Sequence, residues 1–191
     1  MGGSSTGKTT LARELARRLG VPHVELDALH HGPNWEEAPA DVLRARVEEA
    51  LAAAPDGWVV DGNYDRKLGT LVQERADTVV FLDLPHGLAL WRVLRRTARR
   101  ILRREELWHG NRESFRSAFS RDGIVWWVLT MHRTHRVKWP ELFAALPHLR
   151  VVRLRSPREV RDWLQSIQPT EAMSGSSNGS ERQKTPPSVE T

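Results

Sequence analysis

The sequence predicts an α/β fold in which a parallel β-sheet is covered on both faces by helices. Short apolar runs rich in β-branched residues alternate with longer segments of helical periodicity, as in successive βαβ units. Two of these runs lead directly into an acidic residue, at Asp27 and at Asp61. Because ligands of open α/β sheets bind outside the carboxyl ends of the strands, both carboxylates are candidate site residues.

Length and composition indicate one domain. We expect residues 1–168 to form it, with an arginine-rich helical region at about 87–139, and residues 169–191 to be a disordered tail of small, polar and charged residues. The absence of cysteine excludes disulfides and fits a reducing compartment. Because the longest apolar run, residues 124–129, is too short to span a bilayer, we expect a cytoplasmic protein without a membrane partner.

The first elements follow from periodicity and from helix-ending residues. The leucines of residues 9–19 fall at helical spacing, and Gly20 ends that helix. A short strand at 21–26 leads into Asp27, and a loop at 29–35 carries two histidines and Trp35. We expect a helix from Pro39 to residue 54, a buried strand at 58–60, and a short helix at 68–75.

The later elements repeat the alternation. The β-branched run at 77–85 predicts a central parallel strand, in which Asp83 ends the strand. Helices are expected at 87–107, 113–119 and 123–135, and a last strand at 149–154. Ser156 and Pro157 then begin a final helix, with Pro157 at its first position.

A glycine-rich segment, residues 2–9, fits the pattern G-x-x-x-x-G-K-[ST] without a mismatch. Its glycines let the backbone wrap around an anion, and its backbone N–H groups and the following helix N-terminus bind phosphate oxygens. Lys8 is expected to reach the β- and γ-phosphates, and the Thr9 hydroxyl to ligate Mg²⁺. The predicted ATP contacts are Gly2, Gly3, Ser4, Ser5, Thr6, Gly7, Lys8, Thr9 and Thr10.

The two acidic residues have alternative roles. A phosphate-binding loop needs an aspartate at a strand end to hold the hydration shell of Mg²⁺, which favours Asp61 as a metal ligand over an Asx turn made with Gly62. Asp27 could orient or deprotonate an acceptor hydroxyl, hold a metal-bound water, or cap the following turn. The residues alone leave the Asp27 alternatives open.

Basic charge is concentrated in residues 87–139, which hold thirteen Arg or Lys and four Asp or Glu, whereas the whole chain has a net charge of +5. Seven arginines between residues 92 and 104 repel each other unless anions bind. The segment could close over the phosphates of a nucleotide, contact nucleic acid, or form a solvated surface.

Taken together, these motifs resemble the adenylate-kinase-like P-loop proteins, and most closely the group labelled DNA topology modulation proteins. The resemblance covers residues 1–166 and implies a three-layer P-loop sandwich. It implies ATP and Mg²⁺ as ligands and phosphoryl transfer to a small acceptor. Residues 63–66 depart from the Phe-Pro-Arg with which nucleoside monophosphate kinases hold their acceptor, so the acceptor is not identified.

The resemblance also implies roles for individual residues. Arg92 corresponds to the arginine that begins the lid and lies over the adenine, and Arg96 and Arg100 are similar to lid arginines that stabilise the transferring phosphoryl group. Ser156 and Pro157 fall where the adenine ring packs. No apolar run precedes the glycine-rich segment in this sequence, so we expect a sheet that lacks the family's first strand.

The sequence therefore predicts an ATP-dependent kinase that acts on an unidentified small molecule or nucleotide, with Lys8, Asp27, Arg96 and Arg100 as catalytic residues. An alternative is a nucleic-acid-associated regulator that uses ATP without kinase activity. A nucleic-acid partner is possible but not favoured, because neither a helix-turn-helix nor an aromatic strand platform is visible. A non-catalytic relative, disabled by the lost strand, is a third hypothesis.

Overall fold

The computed structural model describes residues 1–3, 6–111, 120, 126 and 138–168. It is a mixed α/β structure with short parallel strands, which confirms the predicted α/β class. Ser4 and Ser5, the predicted helices at 113–119 and 123–135, and the predicted tail at 169–191 lie outside the described residues, apart from Trp126.

The elements follow in the predicted alternating order. They are α1 (Lys8–Leu19), β1 (His23–Glu25), α2 (Leu26–His30), α3 (Ala40–Ala52), β2 (Val59–Asp61), α4 (Asp65–Leu68), α5 (Leu71–Arg75), β3 (Thr78–Leu82), α6 (His86–Leu102), β4 (Arg150–Leu154) and α7 (Pro157–Ser166). Short 3₁₀ turns occupy Pro33–Trp35 and Trp108–Gly110, and residues 138–144 are helical.

The strands form two parallel pairs. β1 pairs with β2, with Val24 opposite Val60, and β3 pairs with β4, with Val80 opposite Val152. The prediction of one continuous sheet is therefore wrong for the described residues, because no ladder joins β2 to β3. Among the described residues, Gly2 adds an isolated parallel bridge to Leu82 of β3.

Several element ends differ from the predictions for local reasons. The helix predicted at 68–75 is two helices, because Gly69 adopts a left-handed φ of 62° between α4 and α5. α6 ends at Leu102, five residues early, and Arg104 follows with a φ of 48°. β1 ends at Glu25, so Asp27 lies in the first turn of α2 and not at the end of the strand itself.

Buried apolar side chains form three clusters. The first joins β1, α2, α3 and α4 through residues such as Leu26, Leu43 and Val47. The second joins β3 to the helix at 138–144, where Phe81 meets the ring of Trp139 edge-on at 5.4 Å between centroids. In the third, Leu11 of α1 packs with Leu82 and Leu154, with α7 against it. Within the described ranges, no helix combines the length and apolar character needed to cross a membrane.

Candidate functional site

The glycine-rich segment begins beside the carboxyl end of β3, where Gly2 bridges Leu82, and runs into α1. Gly7 is the N-cap of α1 and adopts a φ of 98°, a conformation that favours glycine. Thr6 is buried, and its hydroxyl donates a hydrogen bond to the carbonyl of Gly3 (2.9 Å). Thr9 and Thr10 lie in the first turn of α1, where backbone N–H groups lack helical partners. The N-terminus of a twelve-residue helix thus follows the segment directly.

Lys8 folds back over the segment that contains it. Its Nζ donates to the carbonyls of Gly2 (3.0 Å) and Gly3 (2.8 Å). Burial lowers the pKa of Lys8, the negative charges of Asp61 and Asp27 oppose that effect, and the positive charge of Arg96 adds to it. Lys8 therefore experiences the charges of Asp61, Asp27 and Arg96.

Asp61 and Asn63 approach the segment from the end of β2. Asp61 is the last residue of β2 and is buried, with 6% of its surface exposed. The Nδ2 of Asn63 donates to the carbonyl of Gly2 (2.7 Å), and its buried Oδ1 has no hydrogen-bond partner among the described residues. Sequence reasoning selected Asp61 but missed Asn63, whose signal was a second polar side chain two positions after the strand end.

Gly62 makes this arrangement possible. It has a φ of 135°, and a Cβ at this position would lie 2.6 Å from the Cβ of Leu26. Because real Cβ atoms do not approach so closely, only glycine lets the backbone between Asp61 and Asn63 pass over α2. The glycine thus fixes how the two side chains reach the segment.

Tyr64 fixes the carboxylate of Asp27. Its hydroxyl donates to Asp27 Oδ1 at 2.6 Å and lies 3.5 Å from Nε2 of His31. Burial and the charge of Asp27 raise the pKa of the Tyr64 hydroxyl, so it remains a proton donor to the carboxylate at neutral pH. Burial also lowers the pKa of His30 and of His31, which keeps both rings uncharged. Sequence analysis identified the histidines but did not connect them with Tyr64.

Aromatic rings extend this group toward the end of α6. The ring of His31 lies stacked on Trp108 at 5.8 Å and edge-on to Trp35 at 5.4 Å. Asn111 joins the two loops, because its amide donates to the carbonyl of Gly32 (2.9 Å) and accepts from the N–H of Trp35 (2.9 Å). Trp35 contacts side chains of the protein, the rings of His31 and Trp108.

The arginines of α6 divide into two rows. Arg92, Arg96 and Arg100, four residues apart, are half-buried, whereas Arg95, Arg99 and Arg103 are exposed. In the first row, Arg92 donates to the carbonyl of Thr6 (3.0 Å), and Arg96 acts on the charge of Lys8. The structure therefore brings Arg92 to the glycine-rich segment and places Arg96 and Arg100 on the same side of the helix.

Ser156 and Pro157 follow β4, which runs parallel to β3. The Ser156 hydroxyl accepts a hydrogen bond from the Glu159 N–H (3.1 Å) and so caps α7, and Pro157 occupies the first turn of that helix as predicted. Among the described residues, no hydrogen bond joins Ser156 to the glycine-rich segment. The Ser156 side chain thus stabilises the N-terminus of α7.

The metal-binding candidates are few. Among the residues that the structure describes, no group of three or more His, Asp or Glu side chains could hold a metal ion. The predicted magnesium site needs no such group, since Mg²⁺ is commonly held by one or two protein oxygens and the phosphates of its nucleotide. The carboxylate of the buried residue Asp61 and the amide oxygen of Asn63 supply oxygen donors of this kind.

The residues around the glycine-rich segment therefore supply cationic side chains, a helix N-terminus and oxygen donors. They also include the Asp27 carboxylate, to which the Tyr64 hydroxyl is hydrogen-bonded. Such a set suits a polyanion that carries a divalent cation. No protein-family model matches the chain, and no curated protein matches it significantly.

Proposed function

We propose that this chain is an ATP-binding P-loop protein with kinase activity toward a small acceptor that remains to be identified. The observation that supports this best is that Lys8 and Arg92 both donate to backbone carbonyls of the glycine-rich segment, directly before the N-terminus of α1. Phosphoryl transfer needs positioning and charge stabilisation more than covalent chemistry, so cations and oxygen donors around a helix N-terminus suit it.

In this proposal, the glycine-rich segment and Lys8 bind the triphosphate. Lys8 exchanges the carbonyls of Gly2 and Gly3 for phosphate oxygens, which satisfy its buried charge better. Thr9 and Asp61 would hold Mg²⁺, and Asn63 Oδ1 is a further oxygen donor. When bound, the ion neutralises charge on the phosphates.

Arg92, Arg96 and Arg100 then act on the transferring group from α6. Arginine suits this role because its guanidinium is always charged and binds phosphate oxygens in pairs. Asp27 is the acceptor-orienting residue or base, and Tyr64 positions it through the 2.6 Å hydrogen bond. Tyr64 is therefore a positioning residue in this reaction.

The first test is Lys8→Met, with Lys138→Met as the matched control because Lys138 is exposed and far along the chain. Loss of a charged hydrogen bond to phosphate costs about 1.5–3 kcal/mol, so ATP–Mg²⁺ affinity should fall about 10-fold or more. Isothermal calorimetry measures the affinity, and circular dichroism confirms the fold. Unchanged ATP affinity in a folded Lys8→Met variant would refute the proposal.

A second test separates the two arginine rows. Arg96→Met should lower ADP release in a screen of hydroxylated acceptors by about 10-fold or more, because it removes charge from the transition state. Arg95→Met, one residue away on the exposed row, should leave the rate within about twofold. Equal losses in the two variants would contradict a specific role for the inner row.

A nucleic-acid function is the second candidate, and the exposed arginine row favours it. Arg95, Arg99 and Arg103 lie on a surface that also exposes Trp91 and Leu102. Phosphate contacts by these arginines would give a DNA affinity that falls steeply with salt. If the chain is not retained on DNA at low salt, this candidate is excluded.

A further inference from the structure

Asn111 joins two loops that are distant in the sequence, the 31–37 loop after α2 and the 107–111 loop after α6. It is buried, with 5% of its surface exposed. Its Nδ2 donates to the carbonyl of Gly32 (2.9 Å), and its Oδ1 accepts from the N–H of Trp35 (2.9 Å). The ends of the 31–37 loop are themselves joined by an antiparallel bridge. Asn111 therefore holds a closed loop at two points.

Both loops contain residues with a left-handed backbone. Asn34 and Trp35 adopt φ values of 55° and 61° in one loop, and His109 adopts a φ of 56° in the other. A bulky residue such as Trp35 is uncommon in this region, because its Cβ crowds the backbone. Such a conformation costs free energy and persists only where the surrounding contacts determine it. The hydrogen bonds of Asn111, one of them to the N–H of Trp35 itself, are contacts of this kind.

The two joined loops each bring one indole ring to His31. Trp35 meets the His31 ring edge-on at 5.4 Å, and Trp108 lies stacked on it at 5.8 Å. The two indole rings are 6.4 Å apart. Because Asn111 belongs to one loop and is bonded to the other, its side chain fixes how the two rings approach each other. The position of the His31 ring therefore depends on the hydrogen bonds of Asn111.

His31 in turn contacts the hydroxyl of Tyr64. That hydroxyl has one proton, which it donates to Oδ1 of Asp27 at 2.6 Å. Its oxygen lies 3.5 Å from Nε2 of His31, so the imidazole must be the donor in this contact. Nδ1 of the uncharged ring then carries no proton, and it has no hydrogen-bond partner among the described residues. Two hydrogen bonds thus run in one direction, from His31 to Tyr64 and from Tyr64 to Asp27.

We propose that Asn111 is a positioning residue for the carboxylate of Asp27 and acts on it through His31 and Tyr64. Successive hydrogen bonds in one direction polarise one another, so His31 strengthens the bond from Tyr64 to the carboxylate. Among the described residues, no hydrogen bond engages Oδ2 of Asp27, which leaves this oxygen for an acceptor hydroxyl. The inference rests on the proposed role of Asp27 in phosphoryl transfer, where a small misplacement of a catalytic group lowers the rate.

The first measurement uses Tyr64, the only tyrosine of the chain, because tyrosinate absorbance then reports this residue alone. A rapid jump to alkaline pH is followed by tyrosinate absorbance and, in parallel, by circular dichroism. In the unsubstituted protein both signals should change together, because burial raises the pKa of the Tyr64 hydroxyl and prevents its ionisation before unfolding. In Asn111→Ala, tyrosinate should form about tenfold faster than the chain unfolds, since two hydrogen bonds that hold the loop are lost.

Arg18→Met is the matched control. Arg18 Nη1 also donates to two backbone carbonyls, those of Leu164 (3.0 Å) and Ile167 (3.3 Å), but it joins α1 to the end of α7. Its substitution should speed both signals equally, because general destabilisation does not separate the ionisation of Tyr64 from unfolding.

Trp108→Leu is a second variant, in which both hydrogen bonds of Asn111 are kept and the ring stacked on His31 is removed. Tyrosinate formation should precede unfolding in this variant by about threefold, as expected for the loss of one ring contact. It tests the same path from Asn111 to Tyr64 if Asn111→Ala does not fold.

Steady-state kinetics separate positioning from nucleotide binding. The probe is ATP–Mg²⁺ alone, with water as the phosphoryl acceptor. Asn111→Ala should lower kcat for ADP release about tenfold, because Asp27 is displaced. The KM for ATP should stay within about twofold, since Asn111 is bonded to the 31–37 loop and not to the glycine-rich segment.

Two results would overturn the inference. The first is tyrosinate formation that coincides with unfolding in both Asn111→Ala and Trp108→Leu. The second is an unchanged kcat in an Asn111→Ala variant whose Tyr64 ionises early, which would restrict Asn111 to a structural role. If no form releases ADP, with water or with any acceptor in the screen, the proposed function fails and the absorbance measurement, which involves no nucleotide, alone decides this inference.

Discussion

The two halves of the molecule are built differently. In the first half, residues 23–75, β1 and β2 share a core whose members all lie between Val24 and Leu71. In the second half, β3 packs against residues 139–149, and β3 and β4 are about 70 positions apart in the chain. The first half therefore depends on local contacts, whereas the second depends on distant ones.

This difference explains why the candidate site lies where it does. The glycine-rich segment belongs to neither half, and it is tied to each by one strand end. Asn63 holds Gly2 from the first half, and Leu82 holds it from the second. Among the described residues, direct hydrogen bonds between the halves include those of Trp139 Nε1 to Asp65 (3.2 Å) and of His148 to Gln73 O (3.3 Å). Disturbing either half should therefore disturb the site.

The largest expected effect is that of Gly62→Ala, which acts on the first half. The substitution strains a positive φ and forces a Cβ against Leu26, so we expect a loss of about 4 kcal/mol in the free energy of unfolding. Urea denaturation measures the loss. Because Gly62 connects Asp61 to Asn63, ATP binding should weaken in the same variant.

Gly69→Ala is the matched control for that prediction. Gly69 also has a positive φ, of 62°, but no atom lies within 4 Å of the point that a Cβ would occupy there. Only backbone strain of about 1–2 kcal/mol is expected. If the two substitutions destabilise the protein equally, the contact between Gly62 and α2 does not matter.

A smaller effect is expected from pH at the junction of the halves. Burial lowers the pKa of the Met1 amine to about 5 in the folded protein, whereas its ordinary value is 8.0. Between these values the unfolded chain holds the proton more tightly, so stability should rise as pH increases from 5 to 8 and be lost as pH falls. The slope for one proton cannot exceed about 1.4 kcal/mol per pH unit.

Thermal unfolding between pH 7 and 8 isolates the amine. His30 and His31, whose pKa values are also lowered, change stability in the same direction but only as pH falls through about 6.5 and below. Nα-acetylated protein, with Met1 confirmed by intact mass, should lose the dependence in this interval. An identical slope in the acetylated form would mean that another group titrates.

The sequence was a good guide to what is determined locally. Hydrophobic spacing predicted α1 and its end at Gly20, which takes the expected left-handed conformation, and β-branched runs predicted β3 and β4. The capping residue Ser156 and Pro157 predicted the start of α7. In each case a residue's own conformational preference or the spacing within one element decides the outcome.

Contacts between distant residues could not be predicted in this way. The hydrogen bond of Tyr64 to Asp27 and that of Asn63 to Gly2 join positions 37 and 61 residues apart. The division of the α6 arginines into two rows was implicit in their four-residue spacing, but which row faces Lys8 depends on how α6 packs. The separation of β2 from β3 likewise depends on which strands pair with each other, and no single segment of the sequence determines that.

The smallest expected effect concerns the second half and decides the role of Ser156. Its hydroxyl accepts from the Glu159 N–H, while Glu159 accepts from the Ser156 hydroxyl and from the Arg155 N–H, so the three residues form a capping box. Ser156→Ala should therefore cost about 1 kcal/mol of stability and leave ATP affinity unchanged. Ser166→Ala, at the exposed end of α7, is the control and should cost less than about 0.5 kcal/mol. If Ser156→Ala instead weakens ATP binding at unchanged stability, Ser156 contacts the nucleotide, as the sequence suggested. The second half of the molecule would then contribute a side chain to the site, in addition to the contact of β3 with Gly2.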